Sequence, residues 1–254
     1  MIKLAVSATI ISFAMIGAAL GAAEGTAVGV KPDAASRAGN VERVLVVGAD
    51  VSVGETVVTG PSGNVQLLFD DQTRLVVGPR SALRIETYLL NGNRADKFGV
   101  NALAGTFRFI SGNSPKSAYS INTPTASIAV RGTEFDLTVG GGRSFVMLFE
   151  GALRICEDSI CVDLVSRCDI GIAGGGIADL LKWGNVRRDE VVANFPLPNI
   201  QAGFLPPFRV GGAQACLAPP LGGAGGSLSD GPSGPVPQSQ NQNQNRACTD
   251  PKIC

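Results

Sequence analysis

The chain has 254 residues with 21 basic and 21 acidic side chains, so no net charge draws it to nucleic acid or to an anionic membrane surface. It contains no histidine, which removes a Ser-His-Asp triad, a Cys-His dyad and imidazole ligation of zinc or haem. Apolar residues make up 44% and aromatics 6%, with 33 glycines, a balance that suits a core built from many short strands and turns.

The chain opens on "MIKLAVSATIISFAMIGAALGAAEG", with one charge at Lys3 and then an uninterrupted apolar and small-residue run from Leu4 to Ala23. A basic start, an apolar middle and small residues at the end are the parts of a secretory signal peptide. Residues 1–23 are therefore expected to be removed after Ala23, leaving no stable membrane span. An uncleaved anchor is the alternative, because the run is just long enough to cross a bilayer. On either reading the remainder is exported, to the periplasm or beyond.

From residue 38 to 173 strand follows strand. "NVQLLFD" alternates Val65, Leu67 and Phe69 with polar Gln66 and Asp70, though Leu68 breaks the pattern. "ALRIETY", "GTFRFIS", "SAYSINT", "TEFDLTV" and "SFVMLFE" keep the two-residue period of half-buried strands. Gly60-Pro61-Ser62-Gly63, Asp70-Asp71, Gly78-Pro79, Asn91-Gly92-Asn93, Ser111-Gly112-Asn113 and Gly140-Gly141-Gly142 punctuate them. The fold class is all-β: an antiparallel sandwich or β-roll. "SALRI" at Ser81–Ile85 returns as "GALRI" at Gly151–Ile155, each after a strand-turn-strand unit, which makes Leu83 and Leu153 equivalent core positions.

Residues 174–202 form an extension in which "VRRDEVVANF" reads as one short helix ending before Pro196. Residues 203–254 are rich in Pro, Gly, Ser, Gln and Asn and are expected to be disordered, since they lack the apolar surface to offset the entropy of ordering.

Cys156, Cys161, Cys168, Cys216, Cys248 and Cys254 are even in number in a chain expected to be exported, which favours structural bridges over reactive thiols. No Cys-x-x-Cys pair supports a redox or zinc-ribbon motif. "CEDSIC" suggests two strands that bring Cys156 and Cys161 together, and Cys248 and Cys254 can close a terminal loop. The pairing of the rest stays open.

At this point the segment from Val44 to Gly151 resembles a known family. "VVGADVSVGETVVTGPSGNVQLLFDDQTRLVVGPRSALRI", "FRFISG", "YSINTPTASIAVRGTEFDLTV" and "FVMLFEGALRI" look like the FecR domain, element by element and in order. The resemblance implies an all-β periplasmic domain with no catalytic residues and no cofactor. In signalling members such a domain receives a signal from an outer-membrane transporter and passes it to a cytoplasmic sigma factor. Here only Met1, Ile2 and Lys3 precede the apolar run, so this chain is not expected to relay a signal inward by itself.

The motif residues Gly54, Gly60, Gly63, Gly78, Pro124, Gly132, Glu150 and Gly151 are expected to be structural: turns need positive φ or a missing side chain, and the residue before proline is held extended. The Arg131-Gly132-Thr133 break reads as a corner between strands. Phe135, Leu137 and Val139 share one core-facing side, and Phe145, Met147 and Phe149 share another. Arg131, Thr133, Glu134 and Asp136 are the candidates for contact with a ligand or partner. Glu134 and Asp136 point the same way, which admits a pair of glycosidase acids, but alternation with Phe135 and Leu137 puts them on the solvent face, where charges are ordinary. Asp70-Asp71 lacks the spaced acids of a calcium loop and reads as a hairpin turn. No metal site is expected, and iron binding has no ligand set to support it.

The expected function is a non-enzymatic binding, scaffolding or sensory module of the bacterial envelope, with another envelope protein as partner. A carbohydrate- or peptidoglycan-binding module is the alternative, although Trp183 is the only tryptophan to serve as a platform. A hydrolase working with carboxylates alone is the third.

Overall fold

Why both faces of so many strands are apolar becomes clear from the layering. The structure is a computed structural model that describes residues 24–218. Its strands form two facing layers. The first runs β1 (Gly25–Lys31), β6 (Asn64–Phe69), β7 (Arg74–Val77), the end of β9 (Arg94–Ile110), β12 (Glu134–Gly140), β13 (Arg143–Glu150), β16 (Ile170–Ala173) and β17 (Ala178–Leu181). The short β4 (Asp50–Val51) lies beside the start of β1.

The second layer runs β3 (Val41–Val44), β2 (Ala34–Ala38), β5 (Thr56–Thr59), β8 (Ala82–Asn91), the start of β9, β10 (Tyr119–Asn122), β11 (Ser127–Val130), β14 (Leu153–Glu157) and β15 (Ile160–Leu164). Among these pairings only β9 with β10 is parallel. From β6 onward the chain mostly alternates, one hairpin in each layer, so the fold is an antiparallel roll. The long β9 crosses from one layer to the other.

Between the layers lies one apolar core. Val65, Leu67 and Phe69, Leu75 and Val77, Phe107 and Phe109, and Phe135, Leu137 and Val139 meet Leu83, Ile85, Phe98, Ile121, Ile128, Leu153 and Ile155. Leu83 and Leu153, the central residues of the two echoing pentapeptides, both enter this core, at 1% and 2% exposure. Aromatic rings stack and cross through its centre, from Tyr88 through Phe98 and Phe109 to Phe135.

A second apolar body covers the other side of the first layer. Residues 188–217 cross it as a strap of short helices and 3₁₀ turns: α1 (Arg188–Val191), Val192–Asn194, α2 (Leu197–Ile200), Gln201–Gly203, Pro206–Phe208 and Ala213–Leu217. Phe195, Val210, Ala213 and Cys216 pack on Ile110, Met147, Phe149 and Ile170, while Leu197, Phe204 and Phe208 pack on Val76 with Leu68 beside them. Leu68, out of phase in its strand, is apolar because its outward face is covered.

Three expectations about boundaries are revised by this layering. The sheets begin at Gly25, not near residue 38, because Ala27 and Ala34 enter the core although "GTAVGVK" and "AASRA" lack bulky residues to announce a strand. They run on to β17, past residue 173. Packed chain continues to Leu217, beyond the start expected for the disordered tail. Phe204, Phe208 and Val210 are each nearly completely buried, and burying a large apolar side chain contributes about 1.5–3 kcal/mol, which counts toward the ordering of a Pro- and Gly-rich connection. The expected short helix is present as α1 and the 3₁₀ turn that continues it. The leader, its cleavage point after Ala23, and Cys248 and Cys254 lie outside the described residues.

Candidate functional site

Arg131, Gly132 and Thr133 carry the chain from β11 in the second layer to β12 in the first. Gly132 takes φ +69° and Gly151, at the neighbouring passage from β13 to β14, takes φ +81°. The two passages are laced together, since Arg131 donates its amide to the Ala152 carbonyl at 2.9 Å. Their glycines differ in what surrounds them. A Cβ on Gly132 would meet only Lys116 Cε at 3.5 Å, whereas one on Gly151 would sit 1.9 Å from the Gly132 carbonyl oxygen.

Gly132→Ala is therefore expected to cost about 1–2 kcal/mol, the price of a left-handed residue with a side chain. Gly151→Ala, strained and overlapping backbone, is expected to cost more, roughly 2–3 kcal/mol. Urea denaturation of the two variants measures the difference; equal losses would mean that the corners are not in contact.

The polar residues around this corner separate rather than converge. Arg131 is exposed. Thr133 is buried, its amide donating to Ser111 Oγ at 2.9 Å while its hydroxyl finds no hydrogen-bond partner. Glu134 is half-buried and stands opposite Glu150 of β13. Pro124 sits in the bend between β10 and β11, where the Thr123 hydroxyl accepts the amides of Thr125 and Ala126. Gly60, Gly63 and Gly78 lie where a side chain would strike Asp33, Thr106 or Leu197, so space rather than positive φ is what they provide; Gly54 does take a positive φ, +88°.

Asp136 corrects the solvent-face expectation. It is 1% exposed, because the strap covers the face on which it lies. Its carboxylate accepts Arg108 Nε at 2.7 Å and Arg108 Nη2 at 2.8 Å, a two-pronged pair, and Arg108 is itself fully buried. Arg108 Nη1 donates to Gln201 Oε1 at 2.7 Å and to the Phe208 carbonyl at 3.4 Å, and the guanidinium lies 5.5 Å from the Phe149 ring centre. Burial pushes the Asp136 carboxyl up, and Arg108 opposes that shift. The pair thus joins β9 and β12 to the strap, and its oxygens are occupied.

Glu134 keeps a different environment. Burial first, and then the facing Glu150, push its carboxyl above the ordinary glutamate range, against the pull of Arg74, Arg108 and Arg167. A raised value in the folded state means that the folded protein holds the proton more tightly than the unfolded chain. Its stabilising contribution is complete below the unfolded pKa and is lost as pH rises through the folded one. Glu134→Gln is expected to be more stable than the parent at neutral pH and equal to it in acid. Denaturation at both pH values checks this, and a variant weaker at neutral pH would contradict it.

Two further polar centres escaped sequence reading. Asp71, fully buried in the β6–β7 turn, accepts the Thr73 amide and hydroxyl at 3.0 and 2.8 Å, Ser114 Oγ at 2.5 Å and the Tyr119 hydroxyl at 3.2 Å. Burial pushes the Tyr88 and Tyr119 phenols up. This is the hairpin turn expected of Asp70-Asp71, with the second acid turned inward as a hub. Arg188, also buried, donates to the carbonyls of Cys168 and Cys216, the latter at 2.8 Å, and lies 4.7 Å from the Trp183 ring centre. Only its place in a mostly polar run marked it, and that is no signal of burial.

Two disulfides are formed among the described residues: Cys156–Cys161, between directly paired residues of β14 and β15, and Cys168–Cys216, which ties the strap to the turn before β16. Among the same residues no three Cys, Asp or Glu side chains gather as a metal site.

The family model described as FecR protein matches residues 55–154, the segment from the start of β5 into β14. Two crystal structures of a proposed anti-sigma factor from Parabacteroides distasonis ATCC 8503 are similar at 15% identity and a TM-score of 0.42, over 54% of this chain. The chain spans 63% and 62% of the length of those two structures. No curated protein matches it.

Proposed function

We propose, from the match of the FecR family model to residues 55–154, that this chain is an exported, non-enzymatic binding or sensory module of the bacterial envelope whose partner is another envelope protein. The family match carries the reading. The two disulfides support export, since such bridges persist in oxidising compartments. The apolar leader in the sequence supports it as well, and among the described residues no helix is long and apolar enough to cross a membrane.

The fate of the polar candidates favours binding over catalysis. Asp136 is spent on Arg108 and does not face an open cleft, so the imagined acid pair with Glu134 has one free member. Arg131 is the corner residue left accessible to a partner, beside the exposed strands of the second layer.

The test is photo-cross-linking in intact cells, with a photoreactive residue in place of Arg131 in one strain and, in another, of Lys97, exposed on the part of β9 that belongs to the second layer. A reproducible adduct with one envelope protein, found from at least one position, is expected. No adduct from either position, in a strain where the chain is exported and folded, would overturn the reading. Export itself is read separately, by terminal sequencing of the mature chain, with Glu24 expected as its first residue.

A further inference from the structure

The two disulfides differ in nearly every property that governs reactivity. Cys168 and Cys216 are buried at 7% and 0% exposure, lie 48 residues apart, and have both their carbonyls held by Arg188. Cys161 is exposed and Cys156 half-buried, only five residues apart. The ladder already pairs them directly, with Ile155 opposite Val162 on one side and Glu157 opposite Ile160 on the other. Closing a loop of five residues restricts the unfolded chain less than closing one of 48, so folding depends less on this bridge than on Cys168–Cys216.

Its position gives another reason. β15 pairs with β14 alone and is the free edge of the second layer, with Ile160 48% exposed on it and Val165 63% exposed just beyond. The bridge fastens that edge strand to its neighbour. Beside it a concavity of about 430 Å³, lined by Thr123, Pro124, Thr125, Cys156, Glu157 and Asp158, reaches the Cys156 side of the bridge. At the turn of the hairpin Glu157 accepts the amides of Gly174, Gly176 and Ile177, so its tip is anchored to the β16–β17 turn while the bridge joins its two strands.

We propose that Cys156–Cys161 is a thiol–disulfide exchange site, a latch on β15 that a dithiol reductant of the same compartment opens while Cys168–Cys216 stays closed. A thiolate of the reductant attacks the Sγ of Cys161, the more exposed residue of the pair. The S–S bond breaks, and Cys156 leaves as a thiolate and takes a proton from water. The second thiolate of the reductant then attacks its own sulfur in the mixed disulfide, releasing Cys161, which is protonated in turn. Two electrons pass to the protein, and the reductant departs with a new internal disulfide. Reactivity follows access of the attacking thiolate to sulfur, which is why the exposed bridge exchanges and the buried one does not. Once open, β15 keeps its ladder and the Arg154–Asp163 ion pair to β14 but no covalent tie, so the edge is freer to exchange its pairing for that of a partner strand.

The experiment uses the full-length mature chain and dithiothreitol as the probe. Samples are quenched with an alkylating reagent over time, and each cysteine is followed by peptide mapping. Cys156 and Cys161 are expected to be alkylated at least about tenfold faster than Cys168 and Cys216. Hydrogen exchange on the half-reduced protein should show faster exchange in Ile160–Leu164 with Ile170–Ala173 unchanged. Reduction of both bridges at one rate, or of Cys168–Cys216 first, overturns the exchange site. Preferential reduction without faster exchange in β15 overturns the latch. A Cys156→Ser, Cys161→Ser variant is expected to lower the thermal midpoint by less than Cys168→Ser, Cys216→Ser does, and an equal or larger fall would show the bridge to be a structural staple instead.

Discussion

Asp136→Asn is expected to destabilise the protein by roughly 3–5 kcal/mol, because it leaves the Arg108 guanidinium buried without a countercharge. The amide fits the same space, so the loss isolates charge from packing. Arg108 keeps its bonds to Gln201 and Phe208, but neither acceptor carries charge. For a folded unit of this size each kcal/mol moves the thermal midpoint by about 2–4 °C, so the shift is easily read. The partner experiment separates a costly orphan from a stabilising pair. Arg108→Met combined with Asp136→Leu removes both charges and restores apolar volume, and replacements of that kind are often neutral or better. The double variant should therefore recover most of what the single variant loses. If Asp136→Asn unfolds at the parent's midpoint, Arg108 is reached by water and the strap does not seal the pair.

That pair also marks the limit of what alternation can reveal. The inward face of β12 was legible because Phe135, Leu137 and Val139 repeat every second residue, and the core they enter is the one expected. Their polar neighbours were assigned to solvent by default, and a strand covered on both sides by an apolar body on one and a salt bridge on the other has the same period as a half-exposed one. The contrary signals were Leu68, apolar on the supposedly wet face, and Phe145, Met147 and Phe149, which all lie on the strap side of β13. The strap itself was hidden by composition: its few anchors, Phe195, Leu197, Phe204 and Phe208, are diluted by proline and glycine, yet each is nearly fully buried. Disulfide pairing divides the same way. Cys156 and Cys161 face each other because a hairpin dictates it, whereas Cys168 and Cys216 meet only through tertiary packing that no local rule encodes.

Replacing Cys168 and Cys216 together by Ser tests how far that packing depends on its tether. Closing a loop of this length restricts the unfolded chain by about 4 kcal/mol in the chain-entropy account, so a loss of that order is expected in urea denaturation. The loss should be concentrated in the strap. Arg188 would still reach two carbonyls, but the Cys216 end would be free to leave, taking with it the cover over Met147, Phe149 and Ile170. Hydrogen exchange should then rise first in residues 188–217, while β8 and β9, inside the core between the layers, stay protected until global unfolding. Binding of a hydrophobic dye below the main transition would report the same uncovered face. The Arg108–Asp136 pair gives the competing outcome, since it fastens the middle of the strap through Gln201 and Phe208. A loss below about 1 kcal/mol, with residues 188–217 still protected, would mean that this ion pair and the buried phenylalanines hold the strap and that the disulfide only confirms a position already taken.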